Sequence, residues 1–284
     1  MRYLNKLLLL SFVFFACSDN NEEPEFSEMP LSFTKKVLIE EFTAAWCGYC
    51  PWGAAIVENI VNDNENVIPV AVHVRDGMAI DHSSFLEMTY QNNSYPAGMV
   101  DRAPYNVNDT TQVVSFNAGY FSYFSANQLL LEAECGLAMR SKVSGDIATI
   151  EVRAGFNTDL SGDYRLTVYL LEDGVTGSGY GFDQINWDNE EPQSDFYGMG
   201  DPIVGYVHDH TLRAVLSGEL GDPLDESVLT SGGEHIASYS IDISYYDKKK
   251  LSAVAFIQQI GTDFTQHEVL NVQQVGITGF QDWD

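Results

Sequence analysis

Cys47 and Cys50 stand three positions apart in Trp46-Cys47-Gly48-Tyr49-Cys50-Pro51. The residues before them, Lys36 to Phe42, read as a buried strand. Those after, Pro51 to Val61, place Ala54, Ile56, Val57, Ile60 and Val61 at helical spacing. Two thiols at such a junction constrain the chain strongly. Cys47 is predicted at a helix N-terminus, where unpaired N–H groups and the positive end of the helix dipole favour a thiolate. Cys50, one turn later, can close a disulfide with it. A Cys-x-x-Cys near a strand–helix–strand pattern is a redox signal.

The N-terminus reads as a targeting segment, residues 1–16. Arg2 and Lys6 precede an apolar run from Leu7 to Ala16 that is too short to span a bilayer. Ala16-Cys17 resembles the end of a bacterial lipobox, so Cys17 is predicted to be lipidated; the plainer alternative is a signal peptide that contains a cysteine. Residues 18–30 hold Asp19, Glu22, Glu23, Glu25 and Glu28 and no base. Such a stretch buries too little apolar surface to fold, so 17–32 is read as a lipidated cysteine and acidic tether. An acidic run in this place also resembles the export signal of surface lipoproteins in the Bacteroidetes.

Across 284 residues the formal charge is −27, with 14 Lys+Arg. That excludes nucleic acid as a partner, since its binding needs basic surface, and leaves the lipid anchor as the contact with membrane. Hydrophobic residues, 45% of the chain, suffice for packed cores. Cys135, in an apolar run, is expected to be a buried, inert thiol. Zinc is not expected, because a structural site takes four ligands and a single Cys-x-x-Cys is present.

Residues 33–131 are read as a first domain. Val67 to Val74 is a second strand whose Val/Ile density suits a parallel strand buried on both faces. A short helix comes next within Asp81–Gln91, then Tyr95-Pro96-Ala97-Gly98-Met99-Val100-Asp101-Arg102 turns into a third strand. Val113 to Leu131 is predicted as an amphipathic helix. The Trp-Cys-Gly-x-Cys-Pro junction, with Tyr-Pro before a later strand, resembles the thioredoxin fold. The resemblance implies that Pro96 is a cis proline and that Glu41 is the buried acid of that fold. It also implies a final β-hairpin, of which the sequence displays one strand; the sheet is either truncated or completed by the next domain.

Residues 132–284 change character. Strand-like runs recur at 131–140, 147–156, 164–171, 204–216, 235–243, 251–259 and 269–277, separated by turns, which argues for an antiparallel β-sandwich. Gly177 to Asp201 is a long Gly/Asp/Asn/aromatic loop of a length often tied to function. The fold class expected is thus a thioredoxin-like α/β domain followed by an all-β sandwich. The order of parts, with Tyr164–Asp173 and Tyr206–Arg213, is similar to the Omp28-related outer-membrane lipoproteins of the Bacteroidetes. That resemblance implies an outer-membrane, lipid-anchored protein facing the periplasm or the cell surface, and no settled activity.

Cys47 is the candidate nucleophile and Cys50 the resolving thiol. Glu41 would exchange the proton of Cys50, since a desolvated carboxyl has a raised pKa. Glu40 points the other way, and one of the two is expected to face solvent. Pro96 would hold the Tyr95 backbone beside the sulfurs, where an extended peptide could add; Trp46 and Tyr49 would flank them. His208 and His210, two apart on an expected strand, would share one side; they are taken as packed or solvated histidines, and no metal or cofactor beyond the Cys47–Cys50 disulfide is expected. Two functional classes remain open. One is a thiol–disulfide oxidoreductase acting on thiols and disulfides of exported proteins or peptides. The other is a surface binding lipoprotein that keeps the pair as a structural or vestigial disulfide.

Overall fold

A computed structural model describes residues 24–106 and 112–284. The proposed targeting segment and Cys17 lie outside the described residues. Of the stretch read as a tether, the part from Phe26 lies against the protein. Phe26 meets Phe280 at a tilt, Met29 covers Gly155, Phe33 covers Gly136, and the Trp283 indole donates to Ser27 O.

The first part runs β1 (Val37–Thr43), α1 (Cys50–Asp63), β2 (Val67–His73), α2 (Asp81–Thr89) and β3 (Ala97–Val100). β4 (Tyr105–Asn106), β5 (Gln112–Val113) and β6 (Phe116–Asn117) are two residues each, and α3 (Phe121–Gln128) ends it. The helix predicted over Val113–Leu131 is therefore a short strand and a 3-10 turn before α3. Its aromatics, Phe116, Phe121 and Phe124, are spent on a local cluster with Tyr105 rather than on one continuous helical stripe. β6 pairs antiparallel with β3 at the edge of the sheet, with β4 and β5 between them in sequence.

The second part runs β7 (Cys135–Ser144), β8 (Ile147–Phe156), β9 (Asp163–Glu172), β10 (Thr211–Val215) and β11 (Asp222–Pro223). It continues with β12 (Glu234–Asp242), β13 (Leu251–Ile260), β14 (Val269–Gly276) and β15 (Phe280–Gln281). The strand expected over 204–216 is confined to β10, because residues 204–210 fold as loop around positive-φ Gly205 and His210.

The parts share one sheet. Its order is β14-β13-β9-β10-β2-β1-β3-β6, with β10 parallel to β2 through Thr211 and Ala71. β12-β8-β7-β15 form a second sheet. Leu166, Val168 and Leu170 of β9 and Ala253, Ala255 and Ile257 of β13 face Leu137, Ile150 and Val152 of that sheet. The opposite face of β9 and β13, through Tyr169, Leu171, Val254 and Phe256, packs with Leu38 and Phe42 of β1 and Leu86 of α2. β9 and β13 are thus buried on both sides, while β12 of the outer sheet keeps one face to solvent, and the two-sheet sandwich and the strand–helix part close on one another.

Alternation along β1 sets the site. Val37 and Ile39 join Val57 of α1 and Phe121 of α3 on one face, while Leu38 and Phe42 join α2 on the other. Glu41 therefore faces α1 and Glu40 faces away. Neither reaches solvent, contrary to the expectation for one of them. Arg102 meets Glu40 with two guanidinium N–H donors at 2.6 and 2.7 Å, and also donates to Tyr169 Oη and Gln258 Oε1. Tyr90 and Phe256 hold its guanidinium between their rings. A charge buried this deeply is tolerated because it is paired and fully hydrogen-bonded.

Candidate functional site

β1 delivers the chain to a tight turn at its end. Cys47 N–H donates to Ala44 O at 3.0 Å and Cys50 N–H to Cys47 O at 3.2 Å. α1 begins at Cys50, three residues later than Cys47, with Pro51 in its first turn where no N–H is needed. Cys47 thus precedes the helix rather than starting it. The two sulfurs are joined as a disulfide, and both residues are buried, 5% and 1% exposed.

Gly53, one turn into α1, lets the helix sit on the residues below. A Cβ there would lie 2.3 Å from Glu41 Oε1 and 2.5 Å from Pro96 Cβ. The Tyr95–Pro96 bond is cis. Cys47, Cys50, Glu41 and Pro96, spread from position 41 to position 96 of the sequence, are gathered around the start of α1. Glu41 is fully buried, its Oε1 has no hydrogen-bond partner among the described residues, and burial pushes its pKa up to about 8. A carboxyl in such a place stays protonated near neutral pH.

The aromatic candidates divide. Trp46 donates its indole N–H to Val74 O at 2.9 Å and meets Tyr95 edge-on at 5.1 Å. Arg75 lies over both rings and donates to Tyr95 Oη. Tyr49, half exposed, instead meets Trp187 edge-on at 5.1 Å. Trp187 belongs to the long loop and had no place in the site read from sequence.

Below α1 a cavity of about 210 Å³ opens between β2 and the loop residues Tyr206–His210 that lead into β10; β10 itself pairs with β2 only at Ala71. Pro69, lacking an N–H, stands where β2 pairs with β1 alone, opposite Ile39, and has no partner on the β10 side. Glu41, Cys50, His73, Gln184, Tyr206 and His208 line the space. His73 Nδ1 is 2.7 Å from Asp76 Oδ2. Burial raises Asp76, but the His73 hydrogen bond and charge, with the Ala45 and Met78 N–H groups, outweigh it and hold the carboxyl low. His208 packs edge-on against His73, and burial, then the His73 charge, brings its pKa down to about 4. His210 lies toward Asp173 at 3.3 Å. Both histidines face the cavity, from a loop rather than a strand. His73, Asp76 and Gln184 were missed because no local spacing links them to the cysteines.

Cys135 lies in β7, remote from this site. It has no disulfide partner among the described residues, and burial pushes its thiol up to about 12. No helix among the described residues is long and apolar enough to cross a membrane.

No curated protein matches the chain. Among solved structures, HBP35 of Porphyromonas gingivalis is similar at a TM-score of 0.67 and 21% identity, over 87% of this chain and 76% of that one. At that identity the likeness concerns the fold. The family model described as Outer membrane protein Omp28 matches residues 83–280. The match covers well over half of the sequence and begins after Cys50, so it leaves the disulfide's role open. The chain belongs to the Omp28 family of outer membrane proteins.

Proposed function

We propose that this protein is a lipid-anchored thiol–disulfide exchanger of the outer membrane, working through Cys47 and Cys50 in a thioredoxin-like arrangement. One observation carries the proposal. The buried carboxyl of Glu41, whose Oε1 has no hydrogen-bond partner among the described residues, shares a cavity with Cys50, and burial pushes its pKa up to about 8. A purely structural disulfide has no use for it, and burying an unsatisfied polar group costs stability. An exchanging pair does use it, because a proton must reach or leave Cys50 as its bond to Cys47 breaks or forms.

In the oxidised protein, a substrate thiolate attacks Cys47 Sγ. The Cys47–Cys50 bond breaks, a bond from substrate sulfur to Cys47 forms, and Cys50 leaves as a thiolate that takes the Glu41 proton. A second substrate thiolate then attacks the substrate sulfur of the mixed disulfide and releases Cys47. The substrate dithiol becomes a disulfide, and the protein disulfide becomes a dithiol. The reverse sequence reduces a substrate. In this reading the Pro96 and Tyr95 backbone would position an extended peptide beside the sulfurs, with Trp46 and Tyr49 next to it. Exported proteins or peptides are the partners, reached from the membrane to which Cys17 is tethered.

Cys50→Ala expressed in its native host tests this. Cys47-dependent mixed disulfides that vanish on reduction are expected, as is a reduction potential of the pair within roughly −270 to −120 mV. Absence of adducts, with a potential far below that range, would leave the alternative: a surface binding lipoprotein with a structural disulfide. One observation favours that second reading, namely that chain from the long loop bonds the Cys47 carbonyl and lies on Gly48.

A further inference from the structure

The covering segment is Gln184-Ile185-Asn186-Trp187, which comes from the far part of the sequence and lies along Ala45–Gly48. Ile185 N–H donates to Ala45 O at 2.8 Å, and Trp187 N–H donates to Gly48 O at 3.1 Å. The donors are two residues apart and their acceptors three apart, on the turn that follows β1, so the segment is fastened to that turn by its backbone at two points. Between them the Gln184 amide donates to the carbonyls of Ala44, Ala45 and Cys47, the last at 2.8 Å. The Trp187 ring lies on Gly48, where a Cβ would come within 2.3 Å of it, and is braced by Tyr49. The segment is itself preformed. Gln184 and Ile203 exchange backbone hydrogen bonds, and the Asn186 amide donates to Phe196 O and Gly200 O.

We propose that this segment is an internal occupant of the part of the substrate position that runs along Ala45–Gly48 beside Tyr49, next to the part formed by Tyr95 and Pro96. It holds oxidised Cys47 closed until an extended polypeptide displaces it. The incoming peptide takes over the same backbone acceptors, Ala45 O and Gly48 O, and places an aromatic side chain in the slot that Trp187 fills over Gly48 and against Tyr49. The substrates selected are therefore unfolded or extended segments with an aromatic residue near the reacting cysteine. The inference rests on Cys47 being the exchanging sulfur, as proposed above.

Trp187 is 61% exposed, so removing its ring spares the core. The test is the rate at which the Cys47–Cys50 disulfide is reduced by a short dithiol peptide containing Trp, with dithiothreitol and a Trp-free dithiol peptide as controls. Trp187→Ala should speed reduction by the Trp peptide roughly five-fold, the factor for loss of one aromatic pair. The gain with the Trp-free peptide should be smaller, and Trp187→Phe should return the wild-type rate. An unchanged rate in Trp187→Ala, or equal gains with both peptides, would overturn the proposal. The exchange reading fails separately: faster reduction with no Cys47-dependent adducts from Cys50→Ala would keep the cover and sink exchange. Adducts with an unchanged rate would do the reverse.

Discussion

At the scale of single residues, Glu41 makes a prediction whose sign is unusual for a carboxyl. Its folded pKa, about 8, lies above its ordinary value of 4.5 because burial opposes the charge. Between those values the unfolded chain has lost the proton while the folded chain keeps it. Stability from this group is therefore full below about 4.5, falls as pH rises to about 8, and is level beyond. Glu41→Gln should remove that slope and make the protein more stable than wild type at pH 9, by on the order of a few kcal/mol. Urea unfolding at pH 5, 7 and 9 measures it; parallel pH profiles for the two proteins would refute the assignment. Glu41 and Pro96 were legible because both stand at fixed places relative to Cys-x-x-Cys and Tyr-Pro. Gln184 and Trp187 were not, since their bonds span about 140 positions and leave no local spacing to read. Glu40 illustrates the same limit: its partner Arg102 is 62 residues away, so sequence alone suggested solvent where a buried pair stands.

At the scale of elements, Gly53 and Arg102 decide how α1 and β1 are seated. Gly→Ala within a helix ordinarily gains up to ~1 kcal/mol. Here the added methyl would press on Glu41 Oε1 and Pro96 Cβ. Gly53→Ala should instead destabilise by about 1–3 kcal/mol through overpacking, read as a lowered urea midpoint; a raised midpoint would mean the helix can lift without cost. Arg102→Met should cost about 3–5 kcal/mol, because Glu40 is left buried without its counter-charge. Adding Glu40→Gln to that variant should recover much of the loss, and no recovery would show that the guanidinium acts by packing alone. Most strands from β8 onward were readable from alternation and turn residues. α3 and β10 were over-extended in the sequence reading, since aromatic-rich and apolar runs carry no mark of where a loop begins to use them.

For the molecule as a whole, the joining of the two parts was not legible in the sequence. Sheet pairing between Ala71 and Thr211 is a long-range contact with no periodic signature. Two measurements address this scale. Cys17→Ala should move the protein from the membrane to the soluble fraction; retention there would require a different anchor. The second concerns a fragment comprising residues 24–131. Its β2 would lose β10, and Arg102 would lose Tyr169, Gln258 and Phe256. The cluster that holds Leu38, Phe42, Cys47 and Cys50 would lose Tyr169, Leu171, Val254, Phe256 and Val272, and with them one wall of the disulfide's surroundings. A buried guanidinium–carboxylate pair opened to water and several large apolar groups uncovered together exceed the ~5–15 kcal/mol by which a domain is ordinarily stable. The fragment should therefore show no cooperative thermal transition and be cleaved rapidly by protease, while residues 24–284 unfold in one step. A fragment that melted cooperatively would show that the strand–helix part holds its own core and that the shared sheet is docking, not folding.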